Sequence, residues 1–451
     1  MDSQKITVDD MPIVKFHIRA MVLTFGAHFN DGYILGLIAI AFTLLTPDMQ
    51  LDAFWQGMIG SSCLFGLFVG SLICGPISDR YGRQKIYNYS FIAIAVGSAL
   101  QFFVDGPVSL VLCRILIGMG IGGDYSVGAT ILVELCPKKP RGVLVGSFSV
   151  FWTLGFVTAT FCGLGILKLG LGNDAWRWIL ASSTIPSVIM LALRYGFPES
   201  PRWLVNHGRQ AEADAILHKY LGPNIILADE VIDPSHAGFM ELFSKKYLTR
   251  TVFNCIFYSF LVMPYFAIYT FLPQILQVMN LTEGFGTEML LNGMLFVGSL
   301  LGILFTIIFS RRFYAISNAF LILVALILLG VLPSEQHVLL VLSFVVLTLL
   351  LSAISNLTAI FPAESFPTEV RAGGIGFATA MSRLASAAAT FILPSFMGSF
   401  GASATMMTLA GMIFILLVST ILWAPETKNL TLAQAGGRAG SSGDEPSPDA
   451  A

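Results

Sequence analysis

Charge is what this sequence has least of. Only 12% of its 451 residues are Asp, Glu, Lys or Arg, while 55% are hydrophobic and the mean hydropathy is +0.78. A soluble chain of this length carries about twice that share of charge, so the composition is that of an integral membrane protein. Paired cysteine spacing is also missing. Cys63, Cys74, Cys113, Cys136, Cys162 and Cys255 are scattered with no CxxC, most of them in apolar runs, and read as packing residues. There is no G-x-x-x-x-G-K-[ST] loop for ATP-driven work, and no nucleophile–base or metal-ligand cluster for an enzyme. A net charge of −2 offers nucleic acid no footprint. The N-terminal MDSQKITVDDMPIVKFHIR lacks a signal peptide's charged start, apolar core and cleavage site, so the first apolar span is expected to remain in the protein. No cofactor or metal is expected.

What is present is a series of apolar runs of about 20 residues, the length of a membrane-spanning helix. Twelve are expected, near 20–45, 57–78, 86–104, 108–134, 142–168, 175–195, 248–276, 287–309, 313–332, 336–362, 373–396 and 402–424. They are too long and uniform for strands of a membrane barrel. Lys and Arg gather in cytoplasmic loops. Lys5, Lys15 and Arg19 precede the first span; Arg80, Arg83 and Lys85 follow the second; Lys138, Lys139 and Arg141 follow the fourth. The same side receives the Arg194 to Arg250 segment, Arg311, Arg312, Arg371, Lys428 and Arg438, while the opposite loops hold only Lys168 and Arg177. Both termini are therefore expected in the cytoplasm.

One long polar insertion, 196–247, divides the chain into an N-terminal half (1–195) and a C-terminal half (248–424), followed by a tail (425–451) whose GGRAGSSGDEPSPDAA reads as disordered. Within the insertion, PRWLVNHGRQAEADAILHKYLG has the spacing of short surface helices. The halves repeat. ELCPKKPR after span four (Glu134, Arg141) matches ESFPTEVR after span ten (Glu364, Arg371), an offset of 364 − 134 = 230. PESPR from Pro198 matches PETK from Pro425, and the basic loops start at Arg80 and Arg311, offsets of 227 and 231. Such repeats mark transporters, with a central site between two halves. Charges at helix ends often only orient helices at the interface. Their recurrence at matching places makes a cytoplasmic gate of pairs that form and separate.

The loop GPISDRYGRQK, with Gly75, Asp79, Arg80, Gly82, Arg83 and Lys85, resembles the G-x-x-x-D-R-x-G-R-[RK] signature of the major facilitator superfamily. Together with RILIGMGIGG in span four, the two E-x-x-P-x-x-x-R motifs, WRW at 176–178, PESPRWL (Glu199, Arg202) and PETK (Glu426), the chain is similar to that superfamily's sugar-porter and metabolite-symporter branch, and to enteric inner-membrane metabolite transporters in particular. The resemblance implies an all-α fold of twelve transmembrane helices in two pseudo-symmetric six-helix halves, working by alternating access as a proton symporter or uniporter in a bacterial inner membrane. It also implies that the cytoplasmic motif charges hold the outward-facing state. SRRFY at 310–314 departs from the pattern, lacking the aspartate and glycine of the first-half loop. The glycines of IGMGIGG lie in a spanning helix with no preceding strand, so a dinucleotide loop is excluded; Gly118 and Gly122 are spaced for close helix packing instead.

Ionisable residues deep in apolar spans mark function by default. Span one carries Asp31, span four Arg114 and Asp124, span eleven Arg383. At 1.5 Å per residue, Asp31 and Arg114 are expected at depths about a turn apart, so Arg114 is the expected partner of a proton-carrying Asp31, with Asp124 as a second coupling group. By resemblance, sugar-porter symporters place their acid after G-Y in span one; here Gly32-Tyr33 is followed by Ile34, and Asp31 sits three residues earlier, where aromatic-acid symporters also have an aspartate. GGDY around Asp124 is similar to phosphate symporters. Arg383 has the fork that grips a substrate carboxylate, while Trp152, Tyr265, Tyr269, Gln274, Asn292 and Asn356 are candidate lining of the same cavity. Structural readings stand beside these: Asp31 as a capped or water-bound carboxylate, Asp124 as a packing or gate hydrogen bond, Arg383 as a neutraliser of Asp31 or a backbone carbonyl, His28 as a packed or hydrogen-bonded ring more than a proton relay, each tyrosine as core. Pro264, Pro273 and Pro394 are expected to break their helices locally.

The expected function is secondary active transport of a small polar metabolite, favoured as an organic acid anion, with protons as co-substrate and the chain acting as a monomer in the bilayer. A neutral sugar or polyol, carried by symport or uniport, is the alternative. A non-transporting sensor on the same scaffold is the reading from a different class.

Overall fold

The computed structural model describes residues 6–8, 11–135, 138–227, 239–281, 286–366 and 368–426. The expectation for the tail beyond Glu426 lies outside the described residues. The described chain is nearly all helix: α1 Lys15–Asp48, α2 Ala53–Tyr81, α3 Arg83–Leu100, α4 Pro107–Leu135, α5 Lys138–Leu167, α6 Ala175–Ala181, α7 Thr184–Arg194, α8 Pro201–Asn206, α9 Gln210–Tyr220, α10 Leu248–Thr270, α11 Leu272–Val278, α12 Gly286–Ile308, α13 Arg311–Val331, α14 His337–Ile354, α15 Leu357–Ser365 and α16 Thr368–Trp423. β1 (Ile6–Thr7) pairs in parallel with β2 (Ile225–Ile226), tying the N-terminal segment to the central insertion.

Among the described residues eleven stretches are long and apolar enough to cross a membrane, and the last, Gly373–Trp423, has 51 residues. That is about 75 Å of helix, more than twice a ~30 Å hydrocarbon core. Gly401 breaks it, with φ +81° and ψ 172°, a conformation open to glycine and strained for other residues. Two crossings result and the total is twelve. Of the three prolines, only Pro273 coincides with a break: α10 stops at Thr270 and α11 restarts at Leu272, whereas Pro264 and Pro394 lie inside continuous helices. A proline removes one amide donor, a loss that these two helices accommodate without ending.

Small residues set which helices meet. A Cβ on Gly118 or Gly122 of α4 would strike the backbone oxygens of Cys63 and Leu67 on α2, and one on Gly66 or Gly70 of α2 would strike those of Ile115 and Met119 on α4. The second half repeats the device. Gly298 and Gly302 of α12 lie against the carbonyls of Leu349 and Ala353 on α14, at 298 − 66 = 232 and 302 − 70 = 232 residues from their counterparts. With no hydrophobic force between helices in lipid, such backbone approach is what supplies contact. Gly32 of α1 against Trp152 O, and Gly155 of α5 against Phe29 O, pin α1 to α5 in the same way. Asp31 is thereby fixed beside the aromatic residues of α5.

The basic loops lie at one end of the bundle, here the basic end. The halves touch mainly toward the other, far end: Gly57 packs on the Phe391 carbonyl, Phe54 meets the Phe391 ring at 5.7 Å, and Phe42 stacks on Phe271 at 5.2 Å. Toward the basic end of the same two helices, α2 and α16, no atom lies within 4 Å of a Cβ built on Gly75 or Gly376. The halves meet at the far end, and the faces of α2 and α16 that carry Gly75 and Gly376 are open at the basic end.

Candidate functional site

Three buried ionisable groups meet in the N-terminal half. Asp31 and Arg194 are fully buried and Asp124 nearly so. Arg194 Nη1 lies 2.6 Å from Asp124 Oδ1. The same nitrogen donates to the Tyr87 carbonyl at 2.6 Å, so the contact with Asp124 is an ion pair more than a directed hydrogen bond. The guanidinium lies over the Tyr87 ring at 3.4 Å and the Phe91 ring at 3.9 Å, which supplies a cation with π-faces where water cannot reach. Sequence reading places Arg194 at the start of the cytoplasmic insertion. Instead it ends α7 inside the bundle, because α3 and α4 pack around it.

Neither carboxylate oxygen of Asp31 has a hydrogen-bond partner. The charged groups that act on it through space are Asp124, Arg194 and Arg383. Arg114, the partner expected from depth, is not among them: its Nε donates to the Ile59 carbonyl at 3.0 Å and it stays buried against α2. Equal depth on two helices does not make their side chains face each other, and the glycine contacts turn this face of α4 to α2. His28, one turn before Asp31, stacks on Phe148 at 4.4 Å, meets Tyr125 edge-on at 5.3 Å and bonds the Thr24 carbonyl at 2.9 Å, the packed arrangement.

Arg383 projects from α16 into the space between the halves. Its guanidinium lies 5.7 Å from the Tyr125 ring, 5.8 Å from Tyr258 and 5.7 Å from Phe266, and Nη2 donates to the Tyr258 hydroxyl at 3.4 Å. Nε has no partner, and among the described residues no carboxylate approaches Arg383 within 4.0 Å. Trp152 continues the aromatic wall, 5.9 Å from both Tyr265 and Phe266. Tyr265 and Tyr269 of α10 follow 4.9 Å apart, with the Tyr265 hydroxyl unpartnered and that of Tyr269 donating to Thr348 at 2.5 Å. Asn356 accepts from Ser149 across the two halves and donates to the Ser299 carbonyl at 3.4 Å. Gln274 is half-buried on α11.

Toward the far end lies a small cavity lined by Ala39, Ile40, Phe156, Thr160, Tyr269, Leu272, Pro273, Glu288 and Asn292. Sequence reading missed Glu288. Its signal was available: Glu288 and Asn292, four apart, share one face of an otherwise apolar helix.

At the basic end the motif charges form two matching caps. Glu199 accepts from the amides of Arg83 and Gln84, both at 3.0 Å, closing the N-terminus of α3. Gly82 has φ +109°, and a Cβ there would press on Glu199. Asp79 reaches Arg83 at 3.8 Å while its carbonyl accepts from Trp203 Nε1 at 2.7 Å. In the second half Glu426 accepts from the amides of Arg311 and Arg312 at 3.1 and 3.2 Å, and Arg311 lies 3.6 Å from Glu364. SRRFY has lost its aspartate and glycine, yet the cap survives, because it is made of backbone amides. Arg80 is exposed over Tyr81, Arg202 is half-buried, and the side chains of Glu134, Arg141 and Arg371 lie outside the described residues. Each cap ties the start of a helix in one half to the segment that follows that half. Removing a capping carboxylate costs about 0.5–2 kcal/mol, so Glu199→Ala is expected to lower the thermal unfolding midpoint by a few degrees and Glu426→Ala by a similar amount. A drop for one and none for the other would show that the two caps are unequal.

A family model described as sugar (and other) transporter matches residues 22–436. The inner membrane metabolite transport protein YgcS of Escherichia coli (strain K12) is 48% identical over 436 residues, 97% of either chain. The arabinose-proton symporter of Bacillus subtilis (strain 168) is 27% identical over 452 residues, covering 94% of this chain and 96% of that one. An inward-open structure of the xylose transporter XylE from E. coli superposes with a TM-score of 0.77 at 20% identity, over 93% of this chain and 99% of the other, a likeness of fold. The twelve crossings, the repeated halves and these matches agree: the chain belongs to the sugar (and other) transporter family of the major facilitator superfamily.

Proposed function

We propose that the protein moves a small organic acid anion across the bacterial inner membrane by alternating access, together with a proton. The observation that carries the reading is Arg383: a half-buried cation between the halves, held by rings and one hydroxyl, with an unspent N–H. A guanidinium so placed recognises a carboxylate in both charge and shape. Trp152 and Tyr265 offer faces for the rest of the solute, and Tyr265 an unpartnered hydroxyl. Asp31 carries the proton, and the Asp124–Arg194 pair, with Arg383, sets its electrostatic surroundings. Substrate at Arg383 and proton at Asp31 then sense each other through space, which is what coupling requires. The inner-membrane placement is supported by the name of the 48% identical relative, and cytoplasmic termini by the Lys and Arg distribution.

Uptake into proteoliposomes, screened over organic acids and sugars with and without an inward pH gradient, tests the reading. With the substrate found, Arg383→Gln is expected to raise KM about 10- to 100-fold, the worth of a hydrogen-bonded charge, with Arg383→Lys in between. A transported neutral sugar whose KM ignores Arg383→Gln would hand the site to the second reading, which the unpartnered hydroxyl of Tyr265 and the arabinose-proton symporter relative favour. No transport of any solute would favour the sensor.

A further inference from the structure

The cavity at the far end is separate from Asp31 and Arg383, and its chemistry has one sign. Its volume is about 10 Å³, room for a single water-sized occupant and none for a metabolite. Glu288 faces it from α12, nine-tenths buried at 9% exposure, and no basic side chain is among the lining residues. Asn292, one turn on, is 3% exposed; its Nδ2 donates away to the Glu288 backbone carbonyl at 2.9 Å, leaving a buried Oδ1 with no partner. Tyr269 spends its hydroxyl on Thr348 at 2.5 Å, and Thr160 turns its own to the Phe156 carbonyl at 3.5 Å. One Asn292 N–H and the hydroxyl hydrogens of Tyr269 and Thr160 are therefore directed elsewhere, and acceptor oxygens remain.

The backbone adds another oxygen. The seventh crossing is discontinuous, α10 ending at Thr270 and α11 beginning at Leu272. Pro273 has no N–H to return to the carbonyl four residues earlier, which is that of Tyr269, a lining residue. A carboxylate, an amide oxygen, a hydroxyl and a freed carbonyl are hard oxygen donors, which suit hard cations, and carbonyls at helix breaks coordinate sodium in broken-helix transporters. An anion or a neutral donor-poor solute finds no complement here. One carboxylate balances one positive charge.

We propose that this cavity is a binding site for a small dehydrated monovalent cation of the sodium or potassium class, held by Glu288 and Asn292 with oxygen from Thr160 and Tyr269. It rests on the reading of the chain as a two-half transporter, since helices of both halves line it: α1 and α5 on one side, α10, α11 and α12 on the other. Parting the halves at the far end would take the site apart, so the cation binds the far-end-closed form and shifts the population toward it.

The test needs no substrate and no transport, so its outcome is independent of the organic-anion reading. The full-length protein in detergent is unfolded thermally in sodium chloride, potassium chloride or choline chloride at one ionic strength and pH. Sodium or potassium is expected to raise the midpoint saturably above choline by a few degrees. Glu288→Gln and Asn292→Leu are expected to remove the difference, and Asp31→Asn to keep it. Should Glu288→Gln fail to fold, Glu288→Asp, which keeps the charge, is expected to weaken the cation response, and Asn292→Leu to abolish it. Equal midpoints in all three salts overturn the proposal. So does a cation response that survives both Glu288→Gln and Asn292→Leu, or a midpoint that follows pH alone.

Discussion

Asp31→Asn is expected to abolish accumulation of substrate against a gradient while leaving exchange of labelled for unlabelled substrate at least partly intact. The carboxylate is fully buried, both oxygens lack a hydrogen-bond partner, and among the described residues no cation pairs with it within 4.0 Å. Its charged form at that depth costs several kcal/mol while the site is sealed, so its charge state follows the access of water through the cycle. Asparagine copies the shape of the neutral acid and never releases a proton. Exchange needs only the neutral form to move between the two faces; accumulation needs proton release on one side. Counterflow and pH-driven uptake, measured on the same proteoliposomes, separate the two. Wild-type accumulation by the variant would return Asp31 to a structural role. Asp124→Asn is expected to be the milder change for coupling, since its carboxylate already has Arg194.

The features that proved legible were those written along the chain. Twelve crossings follow from the lengths of apolar runs, and the two halves from motifs at a common offset. Gly118 and Gly122 announced a close helix contact by spacing alone, and the structure has it on α2. What sequence reading lacked was the direction each side chain faces. These helices are apolar nearly all round, so periodicity assigns no inner face. Depth was then the only coordinate left, and depth paired Asp31 with Arg114. The actual neighbours, Arg194 and Arg383, come from crossings six and eleven, distant in sequence and joined only by packing. Arg194 was hidden for a second reason. A basic residue after an apolar run reads as the end of a helix in the cytoplasm, and only the wall of Tyr87 and Phe91 shows it is inside. Glu199 and Glu426 were noticed as charges available for pairing. That their partners are amides at the start of α3 and α13 belongs to helix-end chemistry, which the motif spacing does not display.

The Asp124–Arg194 pair is expected to show the largest effect on folding. Arg194→Gln leaves Asp124 buried without its cation and close enough to Asp31 for the two carboxylates to repel. Asp124→Asn leaves a fully buried guanidinium with one carbonyl and two rings. Breaking a buried pair from one side costs about 3–5 kcal/mol, because the survivor is an uncompensated charge. Each single variant should therefore express poorly and unfold at a much lower temperature. Asp124→Asn combined with Arg194→Gln removes both charges at once, replacing an ion pair by two neutral amides. The double variant is expected to lie well above the sum of the two losses, a coupling that a double-mutant cycle of thermal midpoints measures directly. The pair is also neutral as a unit, so its joint removal disturbs the field at Asp31 less than either half-removal. The double variant should then keep the wild-type ratio of accumulation to exchange even at reduced yield, whereas any Arg194→Gln protein recovered should not. Strictly additive losses would mean that each residue acts through separate neighbours, and that the 2.6 Å contact contributes nothing of its own.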